Sequence, residues 1–201
     1  MKKNIILLTY LLSISYTALS ADYFWVNNGG NWSDFSNHWA TTSGGSTMQS
    51  SPPKIEDNVY FDAASFSIAG QTVIIDLFNA YCSDMDWTGV TGSPSLSGPI
   101  GGQLEITGLL AFEIGVTNNY MGAILFSTEN NKSITSAGVS IVSNCIFDGI
   151  GTWNLIDGFT CDSSTQFISG TFITNDFTFQ TESFDVTGYA PRSLDFGGSD
   201  I

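Results

Sequence analysis

Positive charge is nearly missing from this chain. Five lysines and arginines stand against nineteen aspartates and glutamates, a formal net charge of −14. Such a surface repels phosphate backbones and excludes nucleic acid as a partner. It also disfavours anionic lipid and polyanionic substrates unless a metal intervenes. Histidine occurs once, as His38, so any Ser-His-Asp or Cys-His mechanism has a single residue to rest on. No G-x-S-x-G elbow, H-E-x-x-H, C-x-x-C or Walker loop is present, which leaves zinc, thiol-redox and P-loop chemistry unsupported. Cysteine is limited to Cys82, Cys145 and Cys161. In an oxidising compartment Cys145 and Cys161 are the disulfide candidate, with Cys82 left free. The alternative is three small buried hydrophobes.

The first twenty residues stand apart. Lys2 and Lys3 precede an apolar run from Ile5 to Leu19, and Ala18 and Ser20 are the small residues expected before a cleavage at Ala21. Residues 1–20 therefore read as a secretory signal peptide, which leaves no transmembrane segment after cleavage. No cysteine follows the cleavage point, which argues against a lipoprotein. The expected location is secreted or on the outer cell surface. Loss of Lys2 and Lys3 takes the net charge to −16, with only Lys54, Lys132 and Arg192 positive.

Strong helix formers are scarce beyond residue 55, and short runs rich in Phe, Ile, Val and Thr take their place. Residues 58–66, 71–78, 103–114, 123–127, 151–157 and 165–179 read as strands, separated by Gly, Ser, Asn and Asp turns. Residues 88–102, "TGVTGSPSLSGPIGG", read as a long loop. The chain is all-β. Phrases recur inexactly: Ile106-Thr107-Gly108, Ile168-Ser169-Gly170 and Val186-Thr187-Gly188, and more loosely Leu125-Phe126, Trp153-Asn154-Leu155 and Leu194-Asp195-Phe196. Recurring strand-end phrases favour a solenoid in which each coil adds one rung. A β-sandwich or jelly roll is the alternative.

Three of the five tryptophans, Trp25, Trp32 and Trp39, sit seven residues apart in "YFWVNNGGNWSDFSNHW". A helical heptad fails here, because Gly29 and Gly30 lie among Asn27, Asn28 and Asn31, and glycine costs about 1 kcal/mol per helical position. The segment reads instead as a strand, a turn and a returning loop. "YFWVNNGGNWSDFSNHWATTSGG", followed by "PPKIEDNVYFD" and "CSDMDWTGV", resembles the opening module of large secreted surface proteins of the Bacteroidetes type, and related openings of autotransporter-like passenger domains. "GTWNLIDGF", "SGTFITNDFTF" and "RSLDFGGSDI" resemble their later coils. The resemblance implies a right-handed parallel β-helix, adhesin-like and exported. Residues 21–55 then form an aromatic N-terminal cap, with Trp25, Trp32 and Trp39 closing the solenoid end, and residues 56–201 form the coils. The phrase ending at Ile201 looks truncated, so an open rung and end-to-end self-association are expected.

One carboxylate pair invites a catalytic reading. Asp84 and Asp86 in "CSDMDW" alternate by two, which on a strand puts both on one face. In a groove they would serve as acid and base for glycoside cleavage, or bind Ca²⁺. On a solvated strand edge, Met85 and Trp87 face inward instead. Lyase chemistry needs a strong base near the sugar, and the three cations are widely scattered. The sequence therefore favours a non-enzymatic structural or adhesin-like module without cofactor. A carbohydrate-binding or polysaccharide-cleaving β-helix is the alternative. Glycans or host and cell-surface proteins are the partners implied.

Overall fold

Strands form where apolar residues alternate with polar ones. In Gln103–Ile106, Leu104 and Ile106 are buried while Gln103 and Glu105 face outward. Ala123–Phe126 is apolar throughout, yet burial alternates there too, with Ile124 and Phe126 inside and Ala123 and Leu125 partly exposed. Each such run is only three to five residues long in most coils, too short to make a core by itself. The structure, a computed structural model describing residues 20–200, stacks these runs into a parallel β-helix of about six turns. The proposed signal segment up to residue 19, and Ile201, lie outside the described residues.

Three sheets make the walls. Among the described residues nine strands form one sheet, six a second and four a third, and every strand pairing but one is parallel, the isolated antiparallel Ala40–Met48 bridge aside. Parallel register puts the same position of each coil in one column. Cys82 lies under Ile106, then Phe126, Phe147, Phe167 and Val186. On another wall Val59, Met85, Leu110, Ile134 and Leu155 follow one another. Phe126 and Phe147 stack face to face at 4.8 Å. The buried side chains form a continuous hydrophobic core running through the helix. A sandwich would need antiparallel pairing between its strands, so the parallel ladders exclude it.

Several local expectations change. The stretch 88–102 is not all loop, because Ser95–Gly98 is a strand paired with Thr72–Ile74 and Thr117–Tyr120. Its single inward apolar residue is Leu96, too little to show an alternation. The long runs break at corners: 103–114 is two strands, Gln103–Ile106 and Leu110–Ala111, and 165–179 contains the end of Phe159–Phe167 and then Gly170–Ile173. At the second corner Gly170 has φ +92, and a Cβ there would sit 2.3 Å from the Gly149 carbonyl oxygen. Among the repeated phrases, Ile106-Thr107-Gly108 and Val186-Thr187-Gly188 share a column, but Ile168-Ser169-Gly170 is offset by one because Phe167 holds that position.

The N-terminal segment is both first coil and lid. Asp22–Trp25 pairs in parallel with Asn58–Tyr60 on one side and antiparallel with Trp39–Ala40 on the other. Trp25, Trp32 and Trp39 are fully buried. Trp39 meets Trp25 edge-on at 4.8 Å and Trp32 at 4.9 Å, and beneath them Phe61 stacks on Trp87 at 3.7 Å. The Trp39 indole N–H donates to the Trp32 carbonyl at 2.9 Å, and the Trp25 N–H to the Asn28 carbonyl at 2.6 Å. Asn27 and Asn28 turn the chain with φ of 64 and 68, and the Asn28 side-chain oxygen accepts the Ser67 and Ile68 N–H groups. Asparagine tolerates that left-handed conformation better than most residues.

At the other end, the strands Phe179–Val186 and Arg192–Asp195 are each paired on one side only among the described residues. Phe184, Leu194 and Phe196 there pack against the core while remaining partly exposed.

Trp39 is the residue that the other two indoles share. Trp39→Ala is expected to destabilise the protein by about 3–5 kcal/mol, as for other large aromatic truncations in packed sites. Equilibrium urea unfolding checks this, and a loss below about 1 kcal/mol would mean that the lid does not seal the core.

Candidate functional site

Asp84 and Asp86 do share an outward face, with Met85 and Trp87 fully buried behind them. Neither carboxylate is free. Asp84 Oδ1 accepts the Leu109 backbone N–H at 2.8 Å and the Lys132 ammonium at 3.2 Å. Lys132 lies two rungs away, so this pair ties three adjacent strands of one sheet. Partly exposed, it contributes on the order of 1 kcal/mol or less. Asp86 Oδ1 accepts the Thr88 N–H at 2.8 Å and holds a turn. Among the described residues no three His, Cys, Asp or Glu side chains gather as a metal-binding group.

His38 belongs to the lid. Its ring stacks on Trp25 at 4.7 Å and nearly parallel, and its Nδ1 donates to the Val26 carbonyl at 2.9 Å. Gly30 lies against the ring, where a Cβ would come within 2.0 Å of Nε2. The tryptophans, being buried, offer no stacking platform to a ligand.

Cys145 and Cys161 are brought together. A β-bulge between Cys161 and Ser164 turns the strand, and the Cys145 thiol donates to the Cys161 sulfur. Both stand as free thiols in this structure rather than as a disulfide, and Cys82 is free and buried elsewhere in the core. The hydrogen bond from Cys145 draws Cys161 below the ordinary thiol range, while burial pushes Cys145 well above it. The Cys161 sulfur also lies 3.2 Å from the Ser143 carbonyl and 3.6 Å from those of Ser163 and Ser164. Carbonyl oxygens repel a thiolate and oppose the shift, but the order holds: Cys161 ionises before Cys145.

A groove on the described surface went unnoticed in the sequence. A groove of about 800 Å³ runs along the corner between the four-stranded and six-stranded sheets. Phe78, Ile100, Met121 and Val142, one from each of four successive coils, give it an apolar ridge. Asn79, Gln103, Asn119 and Asn144 add side-chain amides, one per coil. No lining residue is ionisable, in a chain with nineteen acidic residues. The contributing residues lie about twenty apart in sequence, so only the coil register could have revealed them. Among smaller concavities, one of about 470 Å³ is lined by Glu56, Glu105, Glu129 and Lys132, and one of about 220 Å³ borders Cys161 with Asp162, Gln180, Thr181 and Glu182.

No family model, curated protein or solved structure matches the chain. The site chemistry therefore rests on the geometry.

The cysteines give a direct check of that geometry. Cys161 is itself buried but lines a concavity, so alkylation of the native protein by iodoacetamide should be slow and should modify Cys161 first, because it ionises most readily. Its lowered pKa sustains the reaction as pH falls below 8, where an ordinary thiol of pKa about 8.5 slows. Cys82, with its pKa raised by burial, should react only on unfolding. Peptide mass spectrometry reads the order, and early labelling of Cys82 would contradict it.

Proposed function

We propose that this chain is a non-enzymatic, structural or adhesin-like β-helix module of an exported or cell-surface protein. One observation carries the reading: the carboxylate pair and the single histidine that the sequence offers for catalysis are engaged in holding the solenoid together, and the corner groove has no ionisable side chain. Asp84 binds Lys132 and a backbone N–H, Asp86 closes a turn, and His38 is stacked on Trp25 within the lid. General acid–base cleavage of a glycan needs a titratable group beside the bond, and the groove supplies none. The stacked core suits a rigid spacer. A net charge of −16 after loss of Lys2 and Lys3 suits a soluble extracellular surface. Among the described residues no helix is long and apolar enough to cross a membrane. The signal-like start, with Ala18 and Ser20 before Ala21, supports export.

The reading has two measurable consequences in one preparation. Protein recovered from the medium or cell surface of the producing cell should begin at Ala21 by N-terminal sequencing. Incubated with neutral and acidic polysaccharides, it should release no new reducing ends. A mature species retaining Lys2 and Lys3 would contradict export. Release of reducing ends that Asp84→Asn abolishes would contradict the non-enzymatic assignment.

A further inference from the structure

We infer that the corner groove is a binding site for an uncharged oligosaccharide lying along the solenoid axis, one sugar ring to each coil. The inference goes with the surface-module reading and gives it a ligand class.

Four features of the groove point there. Its polar groups are neutral: Asn79, Gln103, Asn119 and Asn144 present amides, which donate to and accept from hydroxyl groups. Its apolar groups are exposed where solvent would normally exclude them, with Phe78 at 75 % and Ile100 at 76 %. Apolar ridge beside polar amides matches the two faces of a pyranose, C–H on one and hydroxyl around the rim. Its spacing is regular, since Asn79 and Gln103 are directly paired rungs and Ala123 follows on the next. Rungs lie about 4.8 Å apart, close to one sugar residue of an extended chain.

The fourth feature is Ser143. This residue lines the groove, is 7 % exposed, and its hydroxyl is buried without any hydrogen-bond partner in the protein. A buried hydroxyl left unpaired is unfavourable; in this conformation it is closed to water, and rotation of the short side chain toward the groove would let a ligand hydroxyl satisfy it. Asn144 beside it is already oriented, because its Oδ1 accepts the Ser163 and Ser164 hydroxyls at 2.7 and 3.0 Å. Its amide nitrogen is thereby left as a donor.

The same facts disfavour other occupants. An anionic glycan would find no cation in the lining and a strongly negative protein around it. A peptide adding itself as a strand needs an unpaired sheet edge. The groove crosses strands that are already paired on both sides, such as Gln103–Ile106 between Asn79–Cys82 and Ala123–Phe126.

Isothermal titration of the full chain is the test, with uncharged β-gluco-, xylo-, manno- and α-gluco-tetrasaccharides as probes. Tetragalacturonate and an uncharged apolar peptide serve as the two competing classes. At least one neutral tetrasaccharide should bind, and Phe78→Ala and Gln103→Ala should each weaken it about tenfold, the loss of one hydrogen bond or apolar contact. Tyr189→Ala, on an exposed residue outside the groove, should leave affinity unchanged. Both groove residues are on the surface, so these variants retain the fold, which circular dichroism verifies. Absence of binding by all four neutral sugars would overturn the inference. So would equal binding of tetragalacturonate, binding of the peptide alone, or insensitivity to both groove variants. None of those results bears on export or on the absence of cleavage, which the N-terminus and the reducing-end assay decide.

Discussion

The interaction on which everything else depends is the stacking of each coil's inward side chains on those of the coils above and below. No single coil can bury Leu104 and Ile106, because its own opposite wall is only a few residues long. Burial comes from columns such as Cys82, Ile106, Phe126, Phe147 and Phe167. Parallel ladders hold those columns in register, since a slip of one residue would turn every inward side chain out. The hydrophobic term thus accumulates along the axis instead of around a centre. Any such stack has the problem of its ends. Here the first coil is sealed by an antiparallel strand and three interlocked indoles, and the aromatic-rich opening of the sequence follows from that requirement.

A solenoid built this way divides its chemistry cleanly between inside and outside. Inward positions are mostly apolar, with a few buried polar residues such as Asn118, Thr165 and Thr174 among them, and they include the thiols of Cys82 and Cys145. Outward positions are free to vary, and most of the negative charge is found there. The corner groove is the exception, an outward surface from which charge has been left out across four coils. Charged pairs such as Asp84 with Lys132 instead serve the walls, linking strands across rungs. This separation is why a carboxylate pair that looks catalytic in sequence turns out to be engaged in holding a sheet.

Much of the architecture was legible because the strand periodicity and the turn residues agree. Residues 103–114 and 123–127 read as strands from their composition, and the scarcity of helix formers leaves no competing pattern. Which side of "AILF" turns inward was not legible, because all four residues are apolar and only the register decides it. The solenoid itself was legible through its recurring strand-end phrases, though one of them proved to be out of step by a residue. Ser95–Gly98 was hidden because its strand character comes from its neighbours in space. Small residues with one inward leucine carry almost no local signal, and the pairing to Thr72–Ile74 and Thr117–Tyr120 decides the conformation. The groove was hidden for a related reason. Phe78, Ile100, Met121 and Val142 become neighbours only when the turn length of every intervening coil is known. The adjacency of Cys145 and Cys161 needed less, since both fall in consecutive coils, and the bulge after Cys161 supplied the rest.

Residue-resolved amide hydrogen exchange tests the stacked-column account most directly. Amides in the central rungs, those of Leu104, Ile106, Ile124, Phe126 and Phe147, should exchange slowest and with similar free energies, because each is locked between two coils. Protection should fall toward Phe179–Val186, which is paired on one side only, and remain high at Trp25 under the lid. Fast exchange throughout the central rungs, or protection confined to a few isolated hairpins, would contradict a single continuous core.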